Sequence, residues 1–254
     1  MSDLLQSLKQ TTKSLLTQGF FRVNGGRQRA ICRMIESTEL TPESMVLAYL
    51  QGLFPLGQPD GQLHWQTPDE RAVISIDKVH VSKRLKTYLK KDAFQIRFNE
   101  QFAEIVLACA DREQTWINQP LIAVYQQLHD AGIAHSVEAY QDDLLVGGGF
   151  GLSIGNVFFL ESMFCRVDQA SKVAFVKLAE QLQRDGFEWI DCQYLSEHWK
   201  RFGARSTSLQ ELVSITTQGL SCGATFLKSS DVPHDLAIGA QVLPVPVAAT
   251  APII

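Results

Sequence analysis

Asp191-Cys192-Gln193 follows the short run Glu188-Trp189-Ile190. In an extended strand residues 191 and 193 project to one face, so a carboxylate and an amide would stand together. Such a couple can orient an amine and take or relay a proton. The pattern also fits a polar strand end whose aspartate caps the next loop. Glu161 interrupts the apolar run Val157–Phe164. A buried carboxylate is costly unless answered, either by an internal cation such as Arg166 or Lys172 or by a cationic group of a substrate. Trp116 lies beside Thr115 and Asn118; an indole there is either packed or a stacking surface for a base. Trp65 is a second aromatic of the same kind. The cysteines at 32, 109, 165, 192 and 222 are scattered and never in CxxC spacing, which fits reduced thiols. Cys192, on the face opposite Asp191, reads as a core thiol. The histidines form no HExxH or HxxxH cluster, so no metal site is expected.

Helices and strands must hold these groups. Thr41 can N-cap a helix with Pro42 in its first turn and Met45, Val46, Tyr49 and Leu50 on its apolar face. A turn-rich loop spans 54–61, and Ala72–Ile76 reads as a short strand. Ser82 caps a helix over 83–91 carrying Lys83, Arg84, Lys86, Lys90 and Lys91, either a solvated face or a contact for phosphates. Phe94–Phe98 reads as a strand. Asn99 is placed to cap a helix with Phe102, Ile105 and Val106. Asn118 is placed to cap another with Leu121, Val124, Tyr125 and Leu128, stopped by Gly132. Strands 135–140 and 144–152 flank a hairpin turn at 141–143; Gly155-Asn156 turns into a third strand over 157–164. Gly147-Gly148-Gly149 lies inside a strand, which favours a bulge or a close backbone approach over a phosphate cradle. A long helix from Ala170 or Ser171 to Gly186 then leads to strand 188–193, and Ser196 and Ser208 open two short helices.

Length and composition bound the reading. The 254 residues suit one large domain or a core with a satellite. Hydrophobic content of 45% and charged content of 20% exclude wholesale disorder. A net charge of −4 excludes a surface that grips nucleic acid everywhere but permits a basic patch. The first 33 residues set six basic side chains against Asp3, a basic arm. There is no apolar run of 18 residues and no signal-like amino terminus, so a cytoplasmic protein without membrane contact is expected. The expected division is an arm at 1–33, a small α/β unit at 34–80, a core domain at 81–218 and a mobile extension at 219–254.

Three antiparallel strands followed by a strand–helix–strand crossover give an α+β fold with a mixed sheet. The order resembles the N-acetyltransferase-like (GNAT) superfamily. The resemblance implies a sheet that splays between its fourth and fifth strands, here 157–164 and 189–193, with an activated acyl group in the split. Acetyl-CoA members need a glycine-rich loop at the crossover helix. Residues 165–171 hold no glycine and carry Asp168.

Six stretches identify a nearer likeness: Tyr49–Pro55, Cys109–Asn118, Gly132–Glu138, Glu161–Phe164, Ala170–Lys172, and Asp191–Gln193 with His198 and Phe202–Ala204. Together, in order from about residue 41 to 215, they closely resemble the leucyl/phenylalanyl-tRNA–protein transferases. The resemblance implies transfer of Leu or Phe from aminoacyl-tRNA to the α-amine of proteins beginning with Arg or Lys, marking them for degradation. It implies no cofactor, since the ester is already activated. It makes Asp191 and Gln193 the catalytic pair, Asp191 orienting and polarising Gln193, and Glu161 the acceptor-recognition residue. It places Phe158, Met163, Phe175 and Ile190 around the Leu or Phe side chain, and Trp116, with Trp65 secondary, against the terminal adenine. Two positions depart from the family pattern. Leu56 stands where many relatives have Trp, and Leu160 stands where Gly is common, adding bulk beside the acceptor. The alternatives are another acyltransferase of this fold, using acetyl-CoA or building peptidoglycan bridges, and a non-catalytic tRNA- or peptide-binding relative. A monomer is expected.

Overall fold

The computed structural model describes residues 39–227. The expected basic arm at 1–33 and most of the expected C-terminal extension lie outside them. Helix α1 (Pro42–Leu50) opens the described chain, and α2 (Lys83–Lys90) follows the first strand of the main sheet. Thr41 Oγ1 accepts from the Ser44 N–H and Ser44 returns a bond to the Thr41 N–H, so α1 starts on a reciprocal cap. The stretch read as a turn-rich loop forms an antiparallel hairpin, β1 (Phe54–Gly57) with β2 (Leu63–Gln66). The turn residues Pro59, Asp60 and Gly61 are its tip.

The main sheet has seven strands in the order β4-β5-β6-β7-β8-β3-β9. Its strands are β3 (Glu70–Ser75), β4 (Gln95–Phe98), β5 (Ala134–Gln141), β6 (Leu144–Ile154), β7 (Val157–Cys165), β8 (Trp189–Asp191) and β9 (Arg205–Ser208). All neighbours are antiparallel except β7 and β8, which run parallel across the crossover helix α5 (Ala170–Arg184). β3 comes from the expected small amino-terminal unit, yet it lies between β8 and β9 inside the main sheet. β9, formed by four polar residues, Arg-Ser-Thr-Ser, at the sheet edge, has no counterpart among the strands expected from the sequence.

One face of the sheet is covered by α1, α3 (Phe102–Ala110) and α4 (Gln119–Asp130), around Tyr49, Phe54, Tyr125, Phe150 and Phe159. The other face is covered by α5, around Phe158, Leu160, Phe175 and Ile190. Gly147 lets α5 seat on β6: a Cβ there would come within 2.7 Å of the Ala170 Cβ. The glycine run therefore serves a close backbone approach, as its place inside a strand implies. α6 (Glu197–Lys200) and α7 (Leu209–Gly219) complete the fold.

Two local expectations are corrected. Asn99 is not the cap of α3; it sits at φ 60°, and its side chain accepts from the Ser136 N–H while Gln101 takes the cap position. The chain just after Gly219, expected to be mobile, is anchored by Phe226, which is buried against Phe98, His135 and Phe158.

Candidate active site

The parallel pairing of β7 and β8 ends at Phe159 opposite Asp191. Beyond that couple β7 continues to Cys165, while the chain after Asp191 turns away from it. It stays tied to β3 instead, through the Cys192 N–H to the Ala72 carbonyl and the Ala72 N–H to the Gln193 carbonyl. The gap that opens carries Glu161 two residues past the last couple on one side and Gln193 two residues past it on the other.

Gln193 lies outside the strand, at φ 62°. The side-by-side projection of Asp191 and Gln193 expected from a continuous strand is therefore replaced by another relation. The Gln193 backbone N–H donates to Asp191 Oδ1 at 2.7 Å, and the Gln193 side chain turns to Glu161, with Nε2 donating to Oε2 at 3.4 Å. Asp191 fixes the main chain of Gln193 rather than polarising its amide. A non-glycine residue in the left-handed region is strained, and this bond holds it there.

Asp191 is itself held by Arg71, whose Nη2 lies 2.5 Å from Asp191 Oδ2, with both side chains fully buried. Arg71 also donates to the Gly52 carbonyl at 3.0 Å and lies over the Phe54 ring.

Among the described residues Glu161 forms no ion pair. Tyr49 donates to its Oε1 at 2.7 Å and Tyr125 to its Oε2 at 2.9 Å. Neither Arg166 nor Lys172 pairs with it; Arg166 donates to the Leu145 carbonyl instead. Burial pushes the Glu161 carboxyl up to about 7, against the opposing pull of the two tyrosine hydroxyls and the Arg71 charge. Burial also raises both tyrosines well above their ordinary value, so they remain neutral donors. A bulge in the β6–β7 pairing leaves Glu161 unpaired between Leu160 and Ser162. Glu161 and Ser162 thus both turn to the α1/α3/α4 face, where Arg112 donates to Ser162 Oγ at 2.8 Å. Tyr49, Tyr125, Arg71 and Arg112 are the residues that sequence reasoning missed. The tyrosines sit at core spacing on their helices, and only a polar partner across the sheet sets them apart from packing residues.

Phe158, Phe175 and Ile190 come together on the α5 face, fully buried, with Met163 partly buried against them. Leu160 belongs to this same cluster. Its bulk therefore lies on the opposite side of the strand from the Glu161 carboxylate. Cys192 is buried on the α5 side, and burial raises its thiol well above the ordinary range, which suits a core residue. Trp116 and Trp65 are both partly buried near the β1–β2 hairpin, which is tied to the 116–118 segment. The Gly57 N–H donates to the Trp116 carbonyl at 2.8 Å, and Asn118 Nδ2 donates to the carbonyls of Gln58 and Gln62. No group of three or more His, Cys, Asp or Glu suited to a metal occurs among the described residues. Among those residues no helix is long and apolar enough to cross a membrane.

The family model for leucyl/phenylalanyl-tRNA protein transferase matches residues 73–216, and the model for that enzyme's N-terminal domain matches residues 38–69. The chain belongs to the leucyl/phenylalanyl-tRNA–protein transferase family. A transferase of that name from Herpetosiphon aurantiacus is 42% identical over 188 residues, covering 74% of this chain and 98% of the relative. One from Gloeobacter violaceus is 48% identical over 164 residues, covering 64% of this chain and 85% of the relative. Among solved structures, the C-terminal domain of a putative lysylphosphatidylglycerol synthetase from Agrobacterium fabrum is 12% identical with a TM-score of 0.36, covering 71% of this chain and 58% of that one. The transferase models meet near residue 70, so the family boundary falls at β3, the strand that joins the amino-terminal unit to the main sheet.

Proposed function

We propose that this chain transfers Leu or Phe from the 3′ end of aminoacyl-tRNA to the α-amine of a protein beginning with Arg or Lys, within a GNAT-like core and in the cytoplasm. The observation that carries the reading is the meeting of Gln193 and Glu161 at the β7–β8 gap, inside a chain of this family.

The reaction needs a neutral amine beside an ester carbonyl. An α-amine has a pKa near 7.7–8.0, so roughly a tenth to a fifth is neutral at pH 7. Gln193 Nε2 is turned toward Glu161. Its Oε1 is then free to accept a hydrogen bond from the amine and aim the nitrogen lone pair at the carbonyl carbon. The carbon–nitrogen bond forms, the carbonyl oxygen becomes an oxyanion, and collapse expels the ribose 3′ oxygen, which takes up the proton leaving the amine. Holding the two reactants in this gap supplies a large share of the acceleration.

Glu161 would receive the cationic side chain of the acceptor. It must be ionised to do so, and among the described residues it has no ion-pair partner to displace. Asp191, locked by Arg71, is the positioning residue for Gln193. Met163 stands where the substrate's Leu or Phe would approach Phe158, Phe175 and Ile190. Trp116, with Trp65 close to the same hairpin, would take the terminal adenine, a contact worth ~1–3 kcal/mol for a stacked base. The exposed basic side chains of α2 suit phosphates of the tRNA.

The experiment offers labelled Leu-tRNA and Phe-tRNA to peptides beginning with Arg, Lys or Ala, with labelled acetyl-CoA as the competing donor. Transfer from both tRNAs to the Arg and Lys peptides alone is expected. Acetyl transfer, or equal use of the Ala peptide, would refute the reading.

A further inference from the structure

A concave site lies on the α5 side of the sheet, and neither Glu161 nor Gln193 lines it. It is a cleft of about 500 Å³ between the start of α2, the first turn of α5 and the end of α6. Arg84, Lys172 and Arg201 line it together with His80 and His198, and no acid lines it. Asp168, at the rim, pairs with Arg84 at 2.8 Å. Lys172 and Arg201 form no ion pair among the described residues. Their charges are felt inside the cleft: burial first, then Lys172 and Arg201, hold His198 below its ordinary pKa. The 15-residue helix α5 begins here behind Gln169, with no side-chain cap on its first N–H groups. Its N-terminal partial charge adds to the cations. Leu85 and Phe202 give the cleft apolar walls.

Uncompensated cations, uncapped helix N–H groups and apolar walls together suit a phosphate with a nucleoside attached. The volume falls in the range of small-ligand pockets and admits about one nucleotide, not a duplex. Phe202 lies 4.7 Å from Phe175, so the cleft adjoins the cluster proposed for the aminoacyl side chain. We propose that this cleft holds a backbone phosphate of the single-stranded 3′ tail of the aminoacyl-tRNA, with Lys172 and Arg201 as its ligands. This rests on the transferase reading above and adds to it a positioning site separate from the β7–β8 gap.

The test compares the full chain with Lys172→Ala, Arg201→Ala and Lys172→Arg. Three donors are used: Leu-tRNA, a leucylated CCA trinucleotide, and leucyl-adenosine, which has no phosphate. Each alanine variant should raise KM for the first two donors roughly tenfold, the size of one charge-assisted bond, with kcat kept. The slope of log affinity against log salt should flatten by about 0.7. Leucyl-adenosine should be used unchanged, and Lys172→Arg should restore binding. Lys177→Ala, further along α5 and paired with Glu180, should change nothing. An equal loss with leucyl-adenosine, or an unchanged KM for Leu-tRNA, overturns the proposal. A loss with Leu-tRNA but not with the trinucleotide assigns the cleft to the stem and overturns the tail assignment. Titration calorimetry with inorganic pyrophosphate separates this from the reaction itself. If the wild type transfers nothing yet binds pyrophosphate through Lys172 and Arg201, the transferase reading fails and the anion site stands; absence of that binding removes the site.

Discussion

Arg71 and Asp191 form a fully buried ion pair across β3 and β8, and Asp191 Oδ1, which also accepts from Arg71 Nε at 3.4 Å, fixes the main chain of Gln193. Removing one partner strands the other in the core, at a cost of about 3–5 kcal/mol. Asp191→Ala should therefore lower thermal stability as well as transfer. The double variant Arg71→Met/Asp191→Leu should regain most of the stability and none of the transfer. Chemical denaturation with a parallel transfer assay checks both halves. A folded, fully active double variant would show that Asp191 positions nothing.

Glu161 should give the protein a measurable pH dependence. Its folded pKa, about 7, is raised above its ordinary value of 4.5. The native state therefore holds the proton more tightly, and this contribution to stability is complete below pH 4.5 and lost as pH rises through 7. The difference amounts to about 3 kcal/mol. Glu161→Gln should flatten the stability profile between these limits, as read by urea unfolding at pH 5, 6, 7 and 8. A wild-type profile that already matches the variant's would place the carboxyl at its ordinary value.

The two tyrosines act in the opposite direction. Each hydroxyl bond to Glu161 favours the carboxylate. Tyr125→Phe or Tyr49→Phe should raise the Glu161 pKa further, so transfer to an Arg-initiated peptide should fall at pH 7 and recover as pH rises. A pH–rate profile of kcat/KM reads the shift directly. A uniform loss at every pH would instead mark the tyrosines as packing residues only.

Leu160 fills space on the α5 face beside Phe158, Phe175 and Ile190. Leu160→Ala opens room there, and the ratio of kcat/KM for Phe-tRNA over Leu-tRNA should rise roughly tenfold, the scale of pocket discrimination by a few methylenes. An unchanged ratio would separate this cluster from the substrate side chain.

The sequence made the crossover legible because the two hairpin turns and the long amphipathic helix each carry strong local signals. Asp142 and Asp143, both at positive φ, are turn residues in the structure as in the sequence. Glu161 stands out because a charge in an apolar run demands an answer. The answer itself was hidden. Tyr49 and Tyr125 belong to other helices, 112 and 36 residues away in the chain, and no spacing rule connects them. Asp191 and Gln193 are legible as a pair but not in their relation, because β8 ends at Asp191 and the left-handed turn that follows is fixed by long-range bonds to Arg71 and Ala72. The polar strand β9 and the hairpin β1–β2 were lost for a related reason: pairing partners, not side-chain pattern, make them strands.

The most direct test is the single-turnover rate of transfer from bound Leu-tRNA to an Arg-initiated peptide, both saturating, in Gln193→Ala. Gln193 is only half-buried, so the variant should unfold at the wild-type temperature. Its rate should fall by about a hundredfold or more, the usual cost of losing one preorganised polar contact to the reacting atoms. A rate within about twofold of the wild type would mean that the amine is not received at this gap.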